Sequence, residues 1–119
     1  MPKQQRVEIW HRATCGNSRG ALDLIRQAGI EPDVVDYINN PPDKARLRQA
    51  IAAAGLRVRD ALRSKEPAYA EQGLDDPALS DDALLEAMVA TPILINRPFV
   101  FTAKGVRLCR PPEKVLELL

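Results

Sequence analysis

Val7-Glu8-Ile9-Trp10 runs into His11-Arg12-Ala13-Thr14-Cys15-Gly16-Asn17-Ser18-Arg19, and on into Ala21-Leu22, Leu24-Ile25 and Ala28. The first four residues alternate and are β-prone, so they read as a strand. Ala21, Leu22, Leu24, Ile25 and Ala28 give the following helix an apolar face, with Ser18 as its candidate cap and Gly29 as its stop. A strand that passes through a short loop into a helix leaves backbone N–H groups pointing into that loop. Those donors and the helix dipole favour negative charge there. Cys15 sits in the loop, where a thiol ionises more readily than a free one, whose pKa is about 8.5. The thiolate is the nucleophile, and the same donors can hold an oxyanion. The stretch points to thiol chemistry on an anionic substrate.

Asp33-Val34-Val35-Asp36-Tyr37 reads as a second short strand, closed by the turn Asn39-Asn40-Pro41-Pro42. Leu47, Ala50, Ile51 and Ala54 recur at helical spacing before Gly55. Val58 to Leu62 reads as a short helix, and Glu66 to Leu79, broken by Pro67, Gly73 and Pro77, as irregular or briefly helical. Ser80 caps a helix with Asp81 and Asp82 in its first turn and Leu84, Leu85 and Met88 inward. After Pro92, Ile93-Leu94-Ile95 reads as a buried strand. Phe99-Val100-Phe101 and Val106-Arg107-Leu108-Cys109 form a hairpin around Ala103-Lys104-Gly105. Pro111-Pro112 open a last helix with Val115, Leu116 and Leu119 inward. A β-α-β unit followed by a hairpin and a closing helix matches a thioredoxin-like layout. The expectation is an α/β fold with a mixed four-stranded sheet, flanking helices and a helical insert at about residues 43–91, all in one domain over 1–119.

A length of 119 residues fits one core. A net charge of +1 gives no sign of a nucleic-acid surface or a polybasic membrane anchor. No apolar run is long enough to span a bilayer. Met1-Pro2-Lys3-Gln4-Gln5-Arg6 lacks the apolar core of a signal peptide, so a cytoplasmic monomer is expected. The two cysteines, Cys15 and Cys109, lie far apart and read as thiols in a reducing compartment. Cys15-Gly16-Asn17-Ser18 is not a Cys-x-x-Cys pair, which excludes a local redox disulfide. One histidine and two cysteines argue against structural zinc, and no bound metal or cofactor is expected.

Thr14, Gly16, Asn17 and Ser18 are small and polar, and they suit an open loop better than a core. Gly16 permits close approach of a ligand, and Asn17 and Ser18 can cap the helix or donate to an anion. His11 either stabilises the thiolate or is a solvated strand-end histidine. Arg97-Pro98 interrupts two apolar segments and is a candidate cis bond. In the layout above it faces the cysteine loop. Arg110 precedes Pro111-Pro112, and Arg63 ends the short helix. Three guanidiniums converging on one pocket would bind a tetrahedral oxyanion in bidentate fashion and depress a nearby thiol pKa. A tyrosine-phosphatase loop carries its arginine six residues after the cysteine. Ala21 holds that position here, and Arg19 would face away, so any arginine grip must come from distant segments. Cys109 reads as a packed residue, with a resolving thiol as the alternative.

His11-x-x-x-Cys15-Gly16-x-Ser18-Arg19, Glu66-Pro67-x-Tyr69 before Gly73-Leu74, Pro92-Ile93-Leu94-Ile95-Asn96-Arg97-Pro98 and Leu108-Cys109-Arg110-Pro111 resemble the glutaredoxin-coupled arsenate reductases. The resemblance runs from Val7 to the C-terminus. It departs at Arg12-Ala13, where the family commonly has Asn-Pro, and at Ala68, an extra residue between Pro67 and Tyr69. It implies that Cys15 is the nucleophile, that Arg63, Arg97 and Arg110 bind the anion, that His11 lowers the cysteine pKa and that Pro98 is cis. It also implies arsenate as substrate, glutathione as co-substrate, glutaredoxin as protein reductant and a role in arsenical resistance. Two other activities fit the same residues: a general glutathione-dependent thiol oxidoreductase, and a non-catalytic redox-responsive binding protein.

Overall fold

The computed structural model describes residues 6–119. Residues 1–5, most of the stretch read above for a leader, lie outside the described residues. The described chain forms two compact units. One holds the residues up to Asn40 together with Arg97–Leu119, and the other holds Pro41–Asn96.

The first unit contains β1 (Glu8–His11), α1 (Gly16–Gln27), β2 (Asp33–Asp36), β3 (Phe99–Thr102) and β4 (Gly105–Leu108). The sheet order is β2-β1-β3-β4. β1 pairs parallel with β2, with Ile9 opposite Val34 and His11 opposite Asp36. Parallel neighbours need a crossover, and α1 supplies it. β3 runs antiparallel to both β1 and β4, which makes the sheet mixed. Alternation splits its side chains between two faces. Ile9 and Val100 join Ala21, Leu22 and Ile25 of α1, Cys109, Val115 and Leu118 in one core. Trp10 points the other way and contacts the rings of Phe99 and Phe101, at centroid distances of 5.6 and 4.8 Å.

Three expectations need correction in this frame. Ser18 is not the cap of α1. The chain turns earlier, where the Cys15 N–H donates to the Arg12 carbonyl at 3.0 Å, so Cys15 is the N-cap with φ −93° and ψ 122°. Ser18 lies wholly buried inside the first turn, and its hydroxyl accepts from the Arg12 N–H at 3.4 Å. The segment Ile93–Ile95 is not a strand. Pro92–Leu94 is a 3-10 turn, and only an isolated bridge joins Leu62 to Ile95. Leu94 and Ile95 are fully buried, so the apolar run signals burial, which three residues after a proline cannot resolve into strand or helical turn. The closing helix, Pro112–Leu118, is a 3-10 helix. With three residues per turn, Val115 and Leu118 line up and are buried. Leu116, expected inward on α-helical spacing, is 55% exposed.

The second unit contains α2 (Lys44–Ala53), a 3-10 turn (Val58–Ala61), α3 (Pro67–Glu71) and α4 (Asp81–Ala90). Asp43 caps α2 by accepting from the Arg46 N–H at 2.7 Å, and Ser80 caps α4 by accepting from the Ala83 N–H at 3.1 Å. Leu47, Ala50, Ile51, Leu84, Leu85 and Met88 are the buried faces of these helices. Among the described residues, no helix is long and apolar enough to cross a membrane.

Candidate active site

The cysteine loop is braced by its own arginines. Arg12 Nε donates to Thr14 Oγ1 at 3.1 Å, and Arg19 Nη1 donates to the Ala13 carbonyl at 2.9 Å. Both guanidiniums are thereby committed to the loop's shape. As N-cap, Cys15 presents its sulfur at the positive end of α1.

Partial burial pushes the Cys15 thiol up. The Ser18 N–H, the Arg97 guanidinium through a hydrogen bond, the Asn17 N–H and the Arg97 charge together outweigh it, and the pKa falls to about 7. Arg97 is only 7% exposed, so little solvent screens its charge. Arg110 stands beside it. Its Nη1 donates to the Arg97 carbonyl at 2.9 Å and lies 3.9 Å from the Cys15 sulfur. With the Asn17 amide turned to match donor with acceptor, its oxygen accepts from both Nη1 and Nη2 of Arg110, each at 3.2 Å. The peptide bonds Arg97-Pro98 and Arg110-Pro111 are both cis; the second was not singled out in the sequence.

Cys15, Asn17, Arg97 and Arg110 therefore meet at one place, and Gly16 opens the helix next to them with only Arg19 near where a side chain would begin, at 3.9 Å. His11 ends β1. Its pKa is lowered by partial burial, then by the Arg26 charge, with Asp36 opposing and Arg19 adding to the fall. The imidazole is consequently mostly neutral at pH 7, and its Nδ1 is buried without a hydrogen-bond partner. The groups that lower the Cys15 pKa are Ser18, Arg97 and Asn17, whereas His11 acts on Asp36. Arg63 belongs to the other unit. There its Nε pairs with Glu66 Oε1 at 3.1 Å and its Nη1 donates to Asn96 Oδ1 at 3.4 Å. Cys109 is wholly buried, and burial pushes its thiol up to about 12. Such a thiol stays protonated and supplies no nucleophile. Among the described residues no group of three or more His, Cys, Asp or Glu is placed to hold a metal ion.

A lowered cysteine thiol at a helix start, flanked by two arginines from a later segment, is built to attack an oxyanion. Comparison with known proteins identifies the family. The ArsC family model matches residues 10–118. The chain belongs to the ArsC family. A protein of Rhizobium meliloti named arsenate reductase is 58% identical over 113 residues, covering 95% of this chain and 81% of that protein. The Escherichia coli K12 arsenate reductase is 45% identical over the same length, covering 95% of this chain and 80% of that protein. A solved arsenate reductase from Vibrio cholerae superposes with a TM-score of 0.95 at 42% identity, over 98% of this chain and 100% of that one. The sheet and its flanking helices thus have the thioredoxin-like form of ArsC structures.

Proposed function

We propose that this ArsC protein is an arsenate reductase in which Cys15 is the nucleophile and Arg97 and Arg110 hold the oxyanion. The observation that carries the reading is the Cys15 thiol, lowered to about 7, with Arg97 hydrogen-bonded to it and Arg110 3.9 Å away. The relatives' name supplies the substrate. Arsenate and a thiolate are both anionic, and in water they repel. Preorganised guanidiniums offset that repulsion and stabilise the charge that builds on the arsenic oxygens. The backbone of Gly16, Asn17 and Ser18 borders the substrate site at the thiol. Arg63 is the third anion ligand on the strength of the sequence resemblance. His11, its pKa lowered by burial and the Arg26 charge, supplies little positive charge to the thiolate at pH 7.

In the first step the Cys15 sulfur bonds to arsenic(V), and one arsenic–oxygen bond breaks. The departing oxygen takes a proton from solvent and leaves as water. Glutathione supplies the second sulfur. A sulfur–sulfur bond forms between glutathione and Cys15, the sulfur–arsenic bond breaks, and its electron pair stays on arsenic. Arsenic passes from V to III and leaves as arsenite. Glutaredoxin then reduces the mixed disulfide. This route fits a chain whose other thiol, Cys109, is buried and protonated. The protein acts as a cytoplasmic monomer, a single domain with a helical insert at about residues 43–91.

The test is arsenite production with glutathione and glutaredoxin by the wild type and by Cys15→Ser. Loss of turnover in the variant is expected, and unchanged turnover would sink the assignment. Disulfide reduction by the wild type without any arsenate requirement would favour a general thiol oxidoreductase instead.

A further inference from the structure

Arg110 carries five N–H donors in a planar fork, and they are not all available to a substrate. Its end-on edge, Nη1 with Nη2, faces the Asn17 amide oxygen at 3.2 Å from each nitrogen. Nη1 also donates to the Arg97 carbonyl at 2.9 Å. The same Nη1 lies 3.9 Å from the Cys15 sulfur. A second contact fixes the backbone that carries this arginine. A Cβ built on Gly20 would lie 2.9 Å from Pro112 Cγ and 3.1 Å from Pro112 Cβ, so only glycine lets α1 and Pro112 approach this closely. Asn17 and Gly20 are three residues apart in α1, which places them on one helix face. One end of that face meets the guanidinium of Arg110, and the other meets the ring of Pro112, two residues further along the chain.

From this juxtaposition we propose that Asn17 and Gly20 form a seat on α1 that positions Arg110 beside the Cys15 sulfur, so that its guanidinium meets the oxyanion in a fixed orientation. Asn17 is then a positioning residue rather than a direct anion ligand. Its neutral oxygen occupies the end-on edge without adding negative charge beside the substrate. An aspartate there would hold Arg110 more tightly and repel the anion. The seat also explains how a segment 95 residues from Cys15 is brought to its sulfur, with Arg110 Nη1 3.9 Å away. The proposal rests on the arsenate reading above.

A double-mutant cycle tests it. Asn17→Ala is expected to lower kcat/KM for arsenate about tenfold, carried by KM, because a guanidinium free to swing no longer meets the oxyanion in register. In an Arg110→Ala background the same substitution is expected to have little effect, because the group it positions is gone. Equal losses in both backgrounds would show Asn17 acting on substrate directly and would overturn the proposal, as would an unchanged KM in Asn17→Ala. Gly20→Ala, checked for folding by its thermal midpoint, is expected to raise KM in the wild-type background only. Protection of Cys15 by arsenate against iodoacetamide gives a readout without turnover. A wild type that shows protection but no reduction, with protection weakened by Asn17→Ala, would remove the reductase reading and keep the seat.

Discussion

At the residue scale, the chemistry turns on which groups surround each thiol. Cys15 and Cys109 share a side chain and differ in pKa by environment alone: about 7 at the helix start, about 12 in the core. Alkylation requires the thiolate, so the rate of Cys15 modification by iodoacetamide should rise with pH through about 7 and level off above it. Arg97→Met removes the hydrogen bond and the charge that lower the thiol, so the inflection should move to higher pH. A profile that stays in place would show that the backbone N–H groups of Ser18 and Asn17 suffice. For Cys109, replacement by Ala should leave arsenite production intact and cost about 1–2 kcal/mol in urea unfolding, the loss expected for a small buried group. The sequence made Cys15 legible because small polar neighbours surround it. It could not distinguish Ser18 as a cap from Ser18 as a buried loop brace, since both uses call for a hydroxyl near a helix start.

At the element scale, what was readable had a strong local cause. Ser80 sits where a helix start needs an acceptor, and Gly29 and Gly55 take positive φ just past helix ends. The strands of the hairpin and of β1 follow from alternation. Periodicity failed where an element is short and begins with proline. Pro92–Leu94 and Pro112–Leu118 both open on a proline, and both are 3-10 rather than strand or α-helix. The difference has a measurable consequence in the last segment. On 3-10 spacing Leu118 is 2% exposed and Leu116 is 55% exposed. Leu118→Ala should therefore cost about 2–5 kcal/mol of stability, and Leu116→Ala less than about 0.5 kcal/mol. Equal losses in urea titrations would mean that the segment is α-helical. Gly20 was also missed. A glycine inside a helix usually only weakens it, and its value here depends on Pro112, 92 positions away, whose approach no local pattern encodes.

At the scale of the whole molecule, the site's distant halves were legible only as motifs. The sequence marks Arg97 and Arg110 by their prolines, but their meeting at Cys15 depends on β3 lying beside β1 and on β4 returning beside β3. The total charge was legible from the start, and it bears on how an anion reaches this site. The chain carries 17 Lys and Arg against 16 Asp and Glu, so it presents no strong net field to a distant arsenate. Many of its other cations are paired at the surface. Lys44 and Arg48 share Asp82, Arg26 pairs with Glu31, Arg57 with Asp60 and Arg107 with Glu117. On the proposed reading, what draws the anion is local: the buried Arg97 and the adjoining Arg110, acting over a few ångströms where salt screens poorly. The Debye length shrinks from roughly 14 Å to roughly 7 Å between about 0.05 and about 0.2 M salt, still longer than the contacts in the site. Over that range of potassium chloride, kcat/KM for arsenate should change by less than about threefold, because the long-range part of the field is nearly absent. Sulfate, a tetrahedral dianion that the same arginines would accept, should instead inhibit competitively at matched ionic strength. A steep fall with chloride equal to that with sulfate would mean that long-range steering, and not the Arg97–Arg110 pair, governs capture.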